Sequence, residues 1–157
     1  MTTKAKTNPA SLKRRIRQFY VSLNKRDFAS CYEMIDPRLR AQPNSVTRFQ
    51  YDNVLQEFVD AVGSVQLLVI NISLHENEPS VLYGGRDFAT GQTKWKDRTG
   101  QQHVFSERWV RDGQTWHTRA TGFLMPSRDQ SESLHEKVRR KFPRSGRAKS
   151  NRNGKTR

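Results

Sequence analysis

The chain has 157 residues, 33% of them hydrophobic, and its 29 Lys and Arg residues against 15 Asp and Glu residues give a net charge of +14. This length suits one domain with a core of ordinary size. No apolar run reaches the roughly 18 residues of a membrane span, and the N-terminal residues show no apolar segment of a secretory signal. The single cysteine, Cys31, excludes an intramolecular disulfide and a multi-cysteine zinc site. We therefore expect a reducing, cytoplasmic location.

The positive charge is concentrated at the two ends of the chain. Residues 1–17 carry six basic and no acidic residues, residues 18–126 carry 12 of each sign, and residues 127–157 carry 11 basic and three acidic residues. We expect a basic arm over 1–8, a folded body over 9–126 and a basic tail over 127–157. The tail is expected to be mostly disordered, because it has too few apolar residues to offset the entropy lost on ordering.

Three helices are predicted in the first half of the body. Asn8 is expected to cap the first helix, with Pro9 in its first turn, and Asp27 to cap a second, short helix that ends at Pro37. A loop or short edge strand over 38–46 precedes a third helix over 46–62, which stops at Gly63. The predicted core residues of the first helix are Leu12, Ile16, Phe19, Tyr20 and Leu23, and those of the third are Phe49, Leu55, Phe58, Val59 and Val62.

Alternating apolar residues predict strands in the second half. A strand is expected over 65–75, and a long strand over 81–96 with bulges or bends at Gly84, Gly85 and Gly91. A hairpin joins 102–110 to 115–124 through the two-residue loop Asp112-Gly113. Helices followed by an antiparallel, bent sheet give an α+β fold with the helices packed on one face of the sheet.

A two-residue loop fixes the predicted register of this hairpin. Trp109 then faces Trp116 and Glu107 faces Thr118, on the more apolar face, which should look toward the helices. A three-residue loop would instead turn Glu107 to the other face. The predicted register also pairs Phe105 with Ala120 and His103 with Gly122.

Two segments resemble the nuclear transport factor 2-like superfamily. They are IRQFYVSLNKRDFASCYEMIDP, with its LN..D helix junction, and ERWVRDGQTWHTRATGF, with its W-x-x-DG-x-x-W hairpin. The resemblance covers residues 9–125 and implies a cone, in which a curved antiparallel sheet wraps around three helices and opens onto an apolar pocket. It also implies homodimers through the outer face of the sheet. The superfamily contains isomerases, dehydratases, epoxide hydrolases, transport factors and non-catalytic binders, so this fold does not fix a function.

The resemblance does not carry over the residues of the ketosteroid isomerases. It places Phe19 where those enzymes have their oxyanion-hole tyrosine and puts Pro43 near the position of their catalytic aspartate. Tyr20 is one residue away, about 100° around the helix. The residues expected to line a ligand pocket are Phe19, Tyr20, Phe58, Phe105, Trp109, Trp116 and Thr118.

Glu107 is the candidate catalytic residue. A carboxylate between Phe105 and Trp109 on an inward face suits a general acid or base, because burial favours its neutral form. The alternative is a structural role, in which Glu107 pairs with an arginine such as Arg86 or lies at the open rim.

The other candidate groups favour structural roles. Cys31 lies on an apolar helix stripe and is expected to be a small core residue. His75, His103 and His117 lack the spacing of metal ligands, so neither a metal site nor another cofactor is expected.

The tail is the candidate polyanion-binding segment. Residues 137–157 hold ten basic and no acidic residues, which is typical of a segment that contacts phosphates. Phe142 is its only aromatic residue, so binding to RNA or DNA should be largely independent of sequence. The alternative is a solvated tail, or one that meets an acidic partner or lipid. The expected contact residues are Lys137, Arg139, Arg140, Lys141, Arg144, Arg147, Lys149 and Arg152.

Two functions fit these patterns. The first is a non-enzymatic, homodimeric binding module, cytoplasmic or in a eukaryote nuclear, which holds a small apolar ligand and is tethered to RNA, DNA or another polyanion by its basic ends. The second is a small cofactor-free enzyme that isomerises, dehydrates or hydrolyses an apolar metabolite with Glu107. The sequence favours the first, because the familiar isomerase residues are missing. An enzyme of this kind also does not explain why the positive charge is concentrated at the two ends of the chain.

Overall fold

A computed structural model describes residues 8–75 and 83–119. In these ranges helices are followed by a four-stranded antiparallel sheet in the order β1-β2-β3-β4, which confirms the predicted α+β arrangement. The predicted tail and its eight candidate polyanion-binding residues lie outside the described residues. The elements are α1 (Pro9–Asn24), α2 (Phe28–Glu33), α3 (Pro37–Arg40), α4 (Arg48–Val62), β1 (Gln66–His75), β2 (Phe88–Lys96), β3 (Gln102–Asp112) and β4 (Thr115–Thr118).

The helix termini follow local side-chain chemistry. Asn8 accepts a hydrogen bond from the Ala10 amide over 2.9 Å at the start of α1, and Asp27 caps α2 through the Ser30 amide over 3.1 Å, so both predicted caps are confirmed. Helix α4 begins two residues later than predicted, because Thr47 and Gln50 form a reciprocal capping box. It ends at Gly63 as predicted.

Three predictions for the helical half are wrong. The segment predicted as a loop or edge strand contains the short helix α3, which Asp36 caps through the Arg38 amide over 3.2 Å. Pro37 therefore begins a helix rather than ending α2, which already stops at Glu33. Phe49 lies in the first turn of α4 and is 74% exposed, so it is not a core residue.

Strand β2 is shorter than predicted. It begins at Phe88, because Gly84 and Gly85 have φ angles of 64° and 72°, which an extended strand does not allow. No bulge occurs at Gly91, which stays in register with both neighbouring strands. A Cβ at that position would lie 2.9 Å from Ile16 Cδ1, so Gly91 permits α1 to approach the sheet closely.

The hairpin register differs from the predicted one by two residues. Asp112 pairs with Thr115, so the loop is Gly113-Gln114, and Trp109 pairs with Thr118 rather than with Trp116. Gly113, with φ of 59°, occupies the first loop position, where a type II′ turn requires glycine. The predicted pairs that involve residues 120 and 122 lie outside the described residues.

This error leaves the predicted faces intact, because a shift of two residues keeps each side chain on its side of the sheet. Phe105 and Trp109 are buried in the core beneath the helices, with Glu107 between them on the same face. The prediction of an inward face that carries Glu107 is therefore confirmed, although the pairing of Glu107 with Thr118 was wrong.

Asn24 ties the helices to the sheet. Its side-chain amide donates to the Val65 carbonyl over 2.9 Å and accepts from the Val65 amide over 2.8 Å. The end of α1 is thereby fixed to the residue before β1. In the LN..D junction, Asn24 thus makes this tie and Asp27 caps α2, so both polar residues serve the fold.

Candidate functional site

A cavity lies between α1, α4 and the inner face of the sheet. The space between its walls is about 460 Å³, including open solvent, and the centre of a water molecule can occupy about 20 Å³ of it. As it stands the cavity has room for about one or two waters, so a larger ligand requires its side chains to move. The lining residues are Ile16, Phe19, Tyr20, Leu23, Leu55, Phe58, Thr93, Phe105, Glu107, Trp109 and Thr118.

Most of the residues predicted for the pocket meet at this cavity. Phe19, Tyr20, Phe58, Phe105, Trp109 and Thr118 line it together with Glu107.

Trp116 was predicted to line the pocket and does not. Its Nε1 donates to Ser11 Oγ of α1 over 3.2 Å. The register shift explains this error, because Trp116 pairs with Arg111, two residues nearer the turn than Trp109.

The sequence reasoning missed Thr93, which adds a hydroxyl to the cavity. Thr93 is 3% exposed and pairs with Phe105, so it shares the inner face with Glu107. The alternation of β2 around Thr93 predicts two faces but does not tell which one is inward. Only the pairing of β2 with β3 decides that.

The polar groups of the cavity form two hydrogen-bonded pairs. Thr118 donates from Oγ1 to Glu107 Oε2 over 2.7 Å. The hydroxyls of Tyr20 and Thr93 lie 2.9 Å apart, and either can be the donor. An otherwise apolar cavity therefore holds one carboxylate and three hydroxyls.

Tyr20 is neutral at ordinary pH. Burial is the main cause that raises the pKa of its phenol, the hydrogen bond to Thr93 acts in the opposite direction, and the charge of Glu107 raises it further. The two polar pairs line the same cavity, so the charge of Glu107 acts on the Tyr20 phenol. A neutral phenol retains its hydrogen and can donate it to a ligand.

Arg86 does not pair with Glu107 as the sequence suggested. Both of its Nη atoms donate to the carboxylate of Asp36, over 2.9 and 2.7 Å, and Arg119 donates to the same carboxylate over 2.8 Å. Asp36 is fully buried. Burial would raise the pKa of Asp36, but the hydrogen bonds from the two arginines outweigh it and hold that pKa at about 2. Arg86 therefore has a structural role beneath Asp36 rather than a role at the cavity.

Cys31 is not an activated nucleophile. It is fully buried, and its Sγ lies 3.7 Å from the Phe19 carbonyl oxygen. Burial raises the pKa of the thiol to about 12, so the thiolate is negligibly populated at neutral pH.

His103 and His75 each contact a polar side chain of a neighbouring residue. Nε2 of His103 lies 2.9 Å from Asp97 Oδ2, and Nε2 of His75 lies 3.3 Å from Thr90 Oγ1. Across residues 8–75 and 83–119, no three His, Cys, Asp or Glu side chains come together as metal ligands would. In the same ranges, no helix has both the length and the apolar character needed to cross a membrane.

No protein-family model, curated protein or solved structure matches the chain.

Proposed function

We propose that this protein is a non-enzymatic binding module of the nuclear transport factor 2-like type, whose cone-shaped pocket takes a small, largely apolar molecule with one acceptor oxygen. The observation that carries the proposal is the pair of hydroxyls, from Tyr20 and Thr93, inside an apolar cavity. Apolar walls with a few convergent polar groups are typical of small-molecule sites.

A count of hydrogens defines the expected ligand. The two hydroxyls carry two hydrogens, and their mutual hydrogen bond uses one of them. Neither hydroxyl has a second hydrogen-bond partner among the described residues, so one hydrogen remains to be donated. A buried donor without an acceptor costs about 1–3 kcal/mol. A carbonyl, ether or hydroxyl oxygen on an apolar ligand would accept this hydrogen.

The proposal also includes a homodimer, a tether and a location. The outer face of the sheet would form the dimer contact, because Val69 and Val104 flank Lys94 there and are 43% and 55% exposed. The basic ends would bind RNA or DNA through the phosphate backbone. We expect the protein in the cytoplasm or, in a eukaryote, in the nucleus.

Calorimetry with a small ketone and its matched hydrocarbon tests the ligand class. We expect cyclohexanone to bind more tightly than methylenecyclohexane to the natural protein, and Tyr20→Phe combined with Thr93→Val to remove the difference, because either single replacement leaves the other hydroxyl free to donate. Tyr51→Phe is the matched control, because Tyr51 is fully buried but does not line the cavity. Equal affinity for the two compounds, or no binding of either, would overturn the proposal.

A second candidate function is a cofactor-free enzyme of the isomerase, dehydratase or hydrolase type. The position of Glu107 favours it, because the carboxylate shares the cavity with a phenol that could hold a substrate carbonyl. Glu107 would then take a proton from the carbon next to that carbonyl.

Exchange of the α-hydrogens of cyclohexanone in D₂O, followed by NMR, separates the two candidates. An enzyme would accelerate exchange, and Glu107→Gln would reduce the rate by about 10²-fold or more. A binding module would leave the rate unchanged in both proteins.

A further inference from the structure

Helix α1 presents an exposed side rich in positive charge. Its apolar residues face the core, and Arg14 and Arg17 are exposed. Neither side chain has a hydrogen bond or an ion pair with any residue in 8–75 or 83–119. The stretch 8–26 contains no acidic residue, and its basic residues are Lys13, Arg14, Arg15, Arg17, Lys25 and Arg26.

Further arginines lie at the flank of α1 that meets strand β4, about 100° around the helix from Arg14. Nε of Arg15 donates to the Trp116 carbonyl over 3.2 Å, which fixes α1 against β4. Arg40 of α3 donates from Nε to the carbonyl of Ile35, which bridges to Thr118 of β4. Its Nη1 lies 3.4 Å from the Glu33 carboxylate. Burial is the main cause that lowers the pKa of His117, and the charges of Arg15 and Arg40 lower it further, while Asp36 and Asp112 act in the opposite direction. Cations from two helices therefore converge on this strand.

The buried carboxylate nearby neutralises only one of the two arginine charges beside it. Asp36 is fully buried and accepts hydrogen bonds from two arginines, Arg86 and Arg119. One negative charge thus faces two positive charges. Arg119 is the last described residue, and the segment 137–157, with ten basic residues, begins 18 residues later. The chain leaves the described body at its cationic side.

We propose that the folded body contributes its own docking surface for the phosphate backbone of a nucleic acid. This cationic surface consists of Arg14, Arg15 and Arg17 of α1 together with Arg40 and Arg119 beside β4. The inference rests on the proposed tether and extends it, because part of the contact is placed on a rigid helix. Phosphates would meet Arg14 and Arg17 directly, while Arg15, Arg40 and Arg119 supply positive potential around them.

A nucleic acid fits this surface better than a membrane does. A helix that lies on a membrane inserts an apolar face into the lipid. The apolar face of α1 is buried in the core, and only Val21, which is 44% exposed, is a large apolar residue on the solvent side. The surface therefore offers charge without an apolar anchor.

Salt-dependent binding of the full chain to a fluorescent 20-nucleotide poly(U) tests the inference. Arg14→Gln combined with Arg17→Gln removes two exposed charges from the surface. Arg26→Gln combined with Arg98→Gln is the control, since these exposed residues lie just after α1 and in the β2–β3 turn, outside both the cationic surface and the proposed dimer contact. We expect the α1 variant to have a slope of log affinity against log salt that is smaller in magnitude by about 1.4. If the two proteins bind equally at 1 M salt, the variant then binds about 25-fold more weakly than the natural protein at 0.1 M salt. The control should keep the natural slope.

Each outcome has a defined meaning. If the natural protein does not bind poly(U), the proposed tether fails and this inference fails with it. If the natural protein binds and the α1 variant keeps its slope, the cationic surface is not a docking surface, while the tether stands. Anionic vesicles and polyglutamate are run in parallel. If the α1 variant loses as much slope with the vesicles or with polyglutamate as it does with poly(U), the assignment to a nucleic acid is overturned.

Discussion

Thr118 donates a hydrogen bond to Oε2 of Glu107 over 2.7 Å, between strands β4 and β3. The two residues are diagonal neighbours, because Thr118 pairs with Trp109 in the ladder. This bond orients the carboxylate in the cavity, so the hairpin register sets the position of the candidate catalytic group.

Replacing Thr118 by valine should reduce the free energy of unfolding by about 1–3 kcal/mol, because the partly buried Glu107 carboxylate loses the hydrogen bond from the Thr118 hydroxyl. Thr118→Ser keeps the hydroxyl and should cost less. Urea denaturation of both variants measures the difference. If valine and serine cost the same, the hydrogen bond does not stabilise the fold.

Gly91→Val should reduce the free energy of unfolding by about 1–3 kcal/mol, because overpacking displaces its neighbours. An added Cβ would lie 2.9 Å from Ile16 Cδ1 and 3.4 Å from the Trp109 ring. Combining Gly91→Val with Ile16→Val removes the contacting methyl group and should recover part of the loss. A strictly additive double variant would contradict this explanation.

Asp36→Ala should cost about 3–5 kcal/mol of unfolding free energy, because it leaves Arg86 and Arg119 without their buried counter-charge. Asp52→Ala is a useful comparison, since Asp52 pairs with the half-exposed Arg48. Such surface pairs contribute about 0–1 kcal/mol. If the two variants lose similar amounts of unfolding free energy, Asp36 stabilises the fold no more than a surface ion pair does.

Stability should fall as the pH is lowered from about 4 to about 2. The pKa values of Asp36 and Asp97 are held at about 2 against an ordinary value of 3.8, since their hydrogen bonds outweigh the opposing effect of burial. A depressed folded-state pKa contributes stability above the unfolded pKa, and that contribution is lost as the pH falls through the folded value. The free energy of unfolding of Asp97→Asn, measured by chemical denaturation across this range, should depend less on pH than that of the natural protein. An unchanged profile in this variant would contradict the prediction for Asp97.

Cys31 should react slowly with a thiol reagent in the native protein. The thiol is fully buried and its pKa is about 12, so both access and ionisation oppose the reaction. Ellman's reagent at pH 8 should label one thiol per chain in denaturant and almost none without it. Rapid labelling of the native protein would mean that α2 opens locally.

The predictions that held depend on chemistry close in sequence. Asn8 and Asp27 cap helices through the next few residues, and the period of two places Glu107 on the inward face whether the hairpin is shifted by two residues or not. The predictions that failed needed a choice between local options. Pro37 can end one helix or start another, and Asp112-Gly113 can be the loop or merely overlap it. Thr93 needed a partner strand that its own sequence does not specify.

Asn24 has a further consequence for what the LN..D motif can indicate. A side-chain amide offers the same donor and acceptor as a peptide group, so Asn24 bonds to Val65 as a neighbouring strand would. Asn24 also belongs to the LN..D junction on which the superfamily resemblance rests. Another chain that joins a helix to a sheet in this way can carry the same motif beside a different pocket. The motif therefore indicates how the helix is joined to the sheet, and it does not indicate what the pocket binds.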